Sequence, residues 1–197
     1  IKFDGMLDDS FWQGLPVYWL SDLETGAGPH FRTSFRAAWA DGALYLGIWC
    51  QDRDAASLNI AARRHDDTNI WNGDTVELLL ETQAHAYYQI AMSPNALVVD
   101  LDRKKGFNTL WTSGVQAASH IADGHWSLEV RVPAAGEGAQ VDPLGGVAGR
   151  KPSNTYPWYF NICRQRLRDK GKELSAFSPT GKPDFHVPAK FARFLVP

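Results

Sequence analysis

The feature that most constrains the fold is a two-residue alternation across residues 31–50. In FRTSFRAAWA (31–40), apolar or β-branched side chains at odd positions alternate with Arg, Ser and Ala at even positions. The following segment ALYLGIWC (43–50) alternates in the same way. A period of two places the two sets of side chains on opposite faces of a strand. Because Asp41-Gly42 between the segments favours a tight turn, we predict a β-hairpin.

Further short runs of β-branched and aromatic residues follow the hairpin. They cover residues 75–82, 86–93, 97–102, 115–121, 126–132 and 158–165. Turn-forming residues separate these runs, a loop with a Gly-rich segment at 136–149 is predicted over 134–154, and a short helix is possible over 55–64. Many short strands without alternating helices predict an all-β fold, an antiparallel β-sandwich of the immunoglobulin or jelly-roll kind, forming a single domain over residues 1–197.

Composition narrows the class of partner. The formal net charge is −2, and the Lys and Arg residues are scattered along the chain, so nucleic-acid binding is not expected. No apolar run approaches the roughly 20 residues of a membrane span, so no membrane segment is expected. The two cysteines, Cys50 and Cys163, lie in strand-like runs, where they are either small core residues or one bridge between strands.

Tryptophan is the unusual residue, with eight in the chain. Most must fill the core, but Trp71 precedes Asn72-Gly73 in IWNGDTVELLLE (70–81), where a turn meets an apolar strand. Neither a turn nor a buried strand requires an indole. Glu77 alternates with Val76 and Leu78, so its side chain points away from their apolar face. Trp71 is therefore either a lid on the core or a platform for a flat ligand.

Seven segments together carry a resemblance to a known family. In chain order they are DGMLDDSFW (4–12), RAAWADGALYLGIWCQDRD (36–54), IWNGDTVELLLE (70–81), YYQIAMSPN (87–95), WSLEVRVP (126–133), YFNICR (159–164) and FSPTGKPDFHVPAKFARFL (177–195). This order resembles that of family 9 carbohydrate-binding modules across nearly the whole chain. The resemblance implies a β-sandwich that binds sugars and performs no chemistry itself.

The resemblance also implies a set of ligand-binding residues. Trp71 and an aromatic residue of the C-terminal loop, here Phe185, would stack on the two sides of a sugar ring. Glu77 would accept hydrogen bonds from sugar hydroxyls. Gln89 stands where the family has an arginine, and Phe185 stands where a tryptophan is more usual, so the sugar preference of family members is not transferred. The further polar candidates are Asn161, Arg164 and His186.

A structural calcium ion is a separate prediction, because calcium prefers several carboxylate and carbonyl oxygens in loops. The resemblance also implies such an ion, since family members often carry one. The candidate ligands are Asp52, Asp54 and Asp74.

Three other readings of the sequence remain open. Asp74 and Glu77 could form a catalytic carboxylate pair, but residues three apart at the start of a strand face different sides and cannot readily flank one bond. Similar sandwiches bind haem through methionine and histidine, for which Met92 is the candidate. The domain could also be a structural part of a glycosidase without a ligand of its own.

The sequence thus predicts a non-catalytic module that recognises carbohydrate. The resemblance implies a covalently linked glycoside hydrolase in a larger protein, which is expected to be secreted or periplasmic.

Overall fold

A computed structural model describes residues 1–82, 86–134, 147, 151–168 and 171–195. Its strands are Tyr18–Trp19 (β1), Ser21–Asp22 (β2), Thr33–Ala40 (β3), Ala43–Gln51 (β4), Thr75–Glu81 (β5), Tyr88–Met92 (β6), Val98–Asp102 (β7), Gln116–Ala122 (β8), His125–Pro133 (β9), Trp158–Arg168 (β10), Gly171–Ala176 (β11) and Ala192–Phe194 (β12). Its helical segments are 3₁₀ helices at Ala55–Ser57, Thr68–Asn72, Arg103–Lys105 and Pro188–Lys190. The described residues contain no helix with the length and apolar character needed to cross a bilayer.

The strands form two antiparallel sheets that pack as a sandwich. The five-stranded sheet has the order β1-β3-β4-β9-β8. The seven-stranded sheet has the order β2-β11-β10-β5-β6-β7, with β12 also paired to β10. The prediction of an all-β antiparallel sandwich is confirmed.

The main core lies between the sheets because alternate residues of each strand point inward. From the five-stranded sheet it receives Phe35, Leu46, Ile48, Trp126 and Leu128, and from the seven-stranded sheet it receives Val76, Leu78, Ile90, Met92, Phe160 and Ile162. Every one of these side chains is buried. Met92 therefore has a packing role in this core, where the haem reading of the sequence had placed an axial ligand.

The predicted hairpin is confirmed as β3 and β4. Ala40 pairs with Ala43, which leaves Asp41 and Gly42 as a two-residue loop. Both loop residues have positive φ, at 48° and 69°, as the tight hairpin turn requires. The alternation in the sequence therefore fixed both the strand pairing and which side chains face the core.

The predicted helix over 55–64 is wrong. Asp54 caps only one turn, accepting a hydrogen bond from Ser57 N at 2.7 Å. The chain then extends, because Asn59 N donates to Asp74 Oδ2 at 3.0 Å and Asp74 N donates to Asn59 O at 2.7 Å. These bonds to the entrance of β5 replace the bonds that a continuing helix would make.

The cysteines are buried and unbridged. Cys50 lies in the core between the sheets, whereas Cys163 belongs to a second apolar cluster with Leu79 and Phe185. The alternative of one bridge between the strands is therefore wrong. Most of the loop predicted over 134–154 lies outside the described residues, although Ala134 forms a parallel bridge with Val147.

Two segments cover parts of the outer face of the seven-stranded sheet. The segment before β5 buries Ala62 and Ile70 against Ala91 and Leu101. The C-terminal segment packs against the same face in the cluster that contains Cys163. Glu77 of β5 and Gln89 of β6 lie on this outer face, and both side chains are buried.

Candidate functional site

Trp71 lies on a 3₁₀ helix, Thr68–Asn72, that is fixed at both ends. Asp67 caps its start by accepting from Asn69 N at 3.0 Å. Near its end, Gln165 Nε2 donates to the carbonyl oxygens of Trp71 and Gly73, both at 2.9 Å. The neighbouring Ile70 side chain is 1% exposed and anchors the turn. Trp71 itself is half-buried and packs against the apolar cluster that contains Ile70, and the Nε1 edge of its indole reaches Glu77.

The side chains of Trp71, Glu77 and Gln89 form a hydrogen-bonded chain. Trp71 Nε1 donates to Glu77 Oε1 at 3.1 Å, and Gln89 Nε2 donates to Glu77 Oε2 at 2.7 Å. Gln89 Oε1 is buried and has no partner among the described residues. Three of the residues predicted from the sequence thus meet at one point on the outer face of the sheet.

Glu77 is the electrostatic centre of this group. Its side chain is 3% exposed, and this burial raises the pKa of its carboxyl to about 7. The hydrogen bonds from Gln89 and Trp71 and the charge of Arg103 oppose that rise in pKa. Around neutral pH the carboxyl group therefore exchanges a proton and can act as acceptor or donor toward a hydroxyl group.

Arg103 and Phe107 complete one side of the site, and sequence reasoning did not identify either. Arg103 follows β7, and its charge lowers the pKa of both Glu77 and His186. The Phe107 ring is 59% exposed, with its centroid 5.5 Å from that of Trp71 and the planes inclined by 53°. The sequence signal for Phe107 is a large apolar residue between Gly106 and Asn108 in a polar loop.

Tyr87 and His186 lie on the side of the C-terminal cover. Tyr87 Oη and His186 Nδ1 are 3.1 Å apart, and their ring centroids are 6.0 Å apart. Burial and the charge of Arg103 lower the pKa of His186, while Asp184 raises it. His186 was predicted from the sequence, whereas Tyr87 was not.

Phe185 occupies a different environment from the one expected of a stacking residue. Its side chain is 8% exposed and packs with Leu23, Leu79 and Phe191 under the C-terminal segment. Asn161 also has a structural position, because it exchanges two hydrogen bonds with the backbone of Ser178 at 2.8 and 2.9 Å. Both residues hold the C-terminal cover on the sheet.

Arg164 points between the sheets, away from Trp71. It is 1% exposed, and its Nη2 donates to Asp52 Oδ2 at 3.1 Å. Arg166 and Arg168 also contact Asp52, at 3.0 and 2.9 Å, and Arg168 reaches both oxygens of Asp74 at 2.6 Å. Although burial would raise it, the hydrogen bonds from Arg166 and from the Arg53 N–H, with the charge of Arg168, hold the pKa of Asp52 below its usual value.

The predicted calcium ligands do not fit a metal ion. The carboxylates of Asp52 and Asp74 accept hydrogen bonds from guanidinium groups, which supply the positive charge that calcium would supply. Asp54 caps a 3₁₀ turn. Within the described residues no group of three or more His, Cys, Asp or Glu side chains is arranged to hold a metal ion.

Asp74 and Glu77 also do not form a catalytic pair. Asp74 is bound by Arg168 and by Leu167 N at 2.8 Å, whereas Glu77 is bound by Trp71 and Gln89. Each carboxylate has its own set of partners, so the two do not face a shared bond.

Comparison with known proteins identifies the family. The sequence matches the family described as carbohydrate family 9 binding domain-like over residues 3–152. The chain belongs to this family. Its members are non-catalytic domains, and carbohydrate binding is the activity that defines them. Asn161, Arg164, Phe185 and His186 lie beyond the matched residues.

Solved structures share the fold. One is a candidate carbohydrate-binding protein of Bacteroides uniformis, with a TM-score of 0.67 and 16% identity, matched over 91% of this chain and 85% of that chain. Another is a family 9 module of Caldicellulosiruptor kristjanssonii in complex with cellotriose, with a TM-score of 0.58 and 15% identity, matched over 89% of this chain and 77% of that chain. No curated protein sequence matches the chain.

Proposed function

We propose that this domain is a carbohydrate-binding module that holds a sugar ring against Trp71 and Phe107 and binds its hydroxyl groups through Glu77. The observation that carries the proposal is the chain of hydrogen bonds from Trp71 to Glu77 to Gln89, with distances of 3.1 and 2.7 Å. It joins an aromatic surface to a buried carboxyl group, and sugar recognition uses both.

The chemistry of a sugar ring fits this group of side chains. A pyranose has an apolar face of C–H groups and a rim of hydroxyls, so it needs an aromatic surface beside hydrogen-bonding groups. Trp71 and Phe107, inclined by 53°, form a wedge and not a parallel clamp. The polar rim consists of Glu77, Gln89 and Arg103, which combine acceptors with a cation.

Catalysis is not part of the proposed function. Glycoside hydrolysis uses two carboxyl groups that flank the scissile bond. Glu77 is the carboxyl group of the Trp71 site, and the nearby Asp74 is held by Arg168 through contacts of 2.6 Å. Binding without bond cleavage is the role that this arrangement supports.

The benefit of such a module lies in proximity. We propose that it is linked to a glycoside hydrolase in a secreted or periplasmic protein, where binding raises the effective concentration of the enzyme at its substrate. A module that only fills space in a larger protein would not require the exposed ring of Phe107 beside the half-buried Trp71.

Calorimetric titration with a panel of mono- and oligosaccharides tests the proposal. We expect saturable binding of at least one sugar and a loss of affinity of about tenfold or more, about 1.4 kcal/mol, in Trp71→Ala. Tyr159→Ala is the matched control, because Tyr159 is an exposed aromatic, 38% accessible, outside the site. Absence of binding by the folded wild-type domain would contradict the proposal.

A further inference from the structure

A row of side chains crosses the outer face of the five-stranded sheet, on the opposite side of the sandwich from Trp71. The strand register aligns Trp19, Ser34, Trp49, Ser127 and His120, one from each strand of the sheet. Aromatic rings and small hydroxyl residues therefore alternate across the strands. Because neighbouring strands are about 4.8 Å apart, Trp19 and Trp49 are roughly 10 Å apart along the row.

The side chains of these two tryptophans are only partly buried. Trp19 is 51% exposed on the two-residue strand β1. Trp49 is half-buried, and its ring stacks on His125 with centroids 5.7 Å apart and an angle of 29°. Each has exposed indole surface beside a buried serine, so the small serine side chains do not protrude between the aromatic rings.

The N-terminal segment forms a fixed wall beside this row. Glu129 is fully buried and accepts hydrogen bonds from Asp4 N, Gly5 N and Trp12 Nε1 at 2.8, 2.9 and 2.7 Å. Gly5 lies so close to β8 that an added Cβ would collide with the Ser119 backbone at 2.2 Å. The segment after Gly5 consequently borders a preformed open groove of about 610 Å³.

The groove contains both a cation and an acid. Arg36 lines it, and Arg36 Nε is buried without a hydrogen-bond partner within the described residues. Asp8, on the N-terminal wall, adds an exposed carboxylate. A buried donor without a partner is destabilising unless a ligand or water satisfies it. Because Arg36 and Asp8 carry opposite charges that offset each other, the groove does not favour an ionic ligand, and this donor and acceptor suit a neutral ligand rich in hydroxyl groups.

We propose that this groove is a second saccharide-binding site, which takes an extended neutral chain of β-linked pyranose rings with equatorial hydroxyls. Such rings present flat C–H faces to Trp19 and Trp49, and the backbone spacing of these two residues, two strands apart, corresponds to about one disaccharide unit. Arg36 donates to hydroxyl groups of the chain, and Asp8 accepts from them. Since this groove and the Trp71 site lie on opposite faces, the domain binds two separate chains.

Fluorine NMR of protein labelled with 5-fluorotryptophan tests this second site separately from the first. The eight tryptophans give separate reporters, and the signals of Trp19 and Trp49 are assigned with Trp19→Phe and Trp49→Phe. Cellotetraose is the probe, and it is added to the wild type and to Trp71→Ala. We expect the signals of Trp19 and Trp49 to shift saturably in both proteins. Arg36→Met weakens this response about tenfold, while the control Tyr159→Ala leaves it unchanged.

Three results would overturn the second site in a folded protein. The first is that the signals of Trp19 and Trp49 stay fixed while cellotetraose is added. The second is that they respond to an oligogalacturonate but not to the neutral chain, which would assign the groove to acidic ligands. The third is that they change on dilution without sugar, which would assign the groove to a second copy of the chain. The Trp71 signal of the wild type reports separately on the first site.

Discussion

The indole nitrogen of Trp71 donates to Oε1 of Glu77 at 3.1 Å, and this bond links the turn before β5 to the strand itself. It orients the indole through its edge and leaves ring surface free. It also gives one oxygen of the buried carboxyl group a partner, while Gln89 serves the other oxygen at 2.7 Å. Aromatic surface and polar group are therefore positioned as one unit before a ligand arrives.

The first prediction concerns stability and pH. Burial raises the pKa of folded Glu77 to about 7 from an ordinary value of 4.5. Between these pH values the folded state retains a proton that the unfolded state has lost, so stability falls as pH rises through this window. The full loss of stability is about 3 kcal/mol and is reached above pH 7. We expect Glu77→Gln to remove this dependence of the unfolding free energy on pH.

Chemical denaturation of both proteins from pH 4 to pH 8 measures the difference in unfolding free energy. The lowered pKa of His186 acts in the opposite direction, but it is shared by the two proteins and cancels in the comparison. Parallel pH profiles for the wild type and Glu77→Gln would show that the Glu77 carboxyl group does not titrate in this window.

The second prediction distinguishes Phe107 from Phe185. Phe107 is 59% exposed beside Trp71, so Phe107→Ala should weaken sugar binding several-fold and leave the unfolding free energy nearly unchanged. Phe185 is buried in an apolar cluster, so Phe185→Ala should cost about 3–5 kcal/mol of stability. Denaturation and sugar titration of the two variants provide the test. A stable Phe185→Ala protein that has lost sugar binding would restore Phe185 as the stacking residue.

The third prediction concerns the arginine cluster around Asp52. Asp52→Ala leaves Arg164, Arg166 and Arg168 without their shared carboxylate, and removing one partner of a buried ion pair costs about 3–5 kcal/mol. Urea denaturation measures this loss. Lys182→Met is the control, because Lys182 pairs with Asp184 at the surface at 3.4 Å, and we expect no measurable change. A loss similar to that of the control would refute the structural role of Asp52.

The fourth prediction is that chelation of calcium does not destabilise the domain. The carboxylates of Asp52 and Asp74 are neutralised by arginines, so no ion is needed to offset their charge. The midpoint of thermal unfolding should be the same with EDTA and with excess calcium, since a bound ion would raise it. A midpoint lowered by EDTA and restored by calcium would contradict this prediction.

The sequence predicts the sandwich because the decisive patterns are local. Alternation over 31–50 and the Asp41-Gly42 turn specify a hairpin, and the repeated short runs specify strands β5 to β10. The six-residue strand β11 was not predicted from the sequence. Strands β1, β2 and β12 are two or three residues long, too short to show a period of two. The helix predicted over 55–64 ends after one turn, because the Asp54 cap fixes only Ala55–Ser57.

Strand periodicity predicted the direction of Glu77, whereas Trp71, Gln89 and His186 were predicted from the family resemblance. Glu77 and Gln89 lie on β5 and β6, and their alternation with core residues places them outward. Arg164 was wrongly predicted to face a ligand. It lies two residues after the core residue Ile162 on β10, so the alternation in the sequence already places it on the inward face. Phe107 and Phe185 lie in loops, where no period indicates which ring is buried, and the contact between Trp71 and Phe107 depends on tertiary packing.

The NMR signal of the Trp71 indole N–H, followed during titration with cellotriose and other oligosaccharides, tests whether sugar binds at Trp71. We expect this signal to shift saturably with a bound sugar, because the N–H donates to Glu77 at the site. Glu77→Gln should weaken that response. A Trp71 signal that stays unchanged while another part of the domain responds to sugar would contradict the assignment of this site.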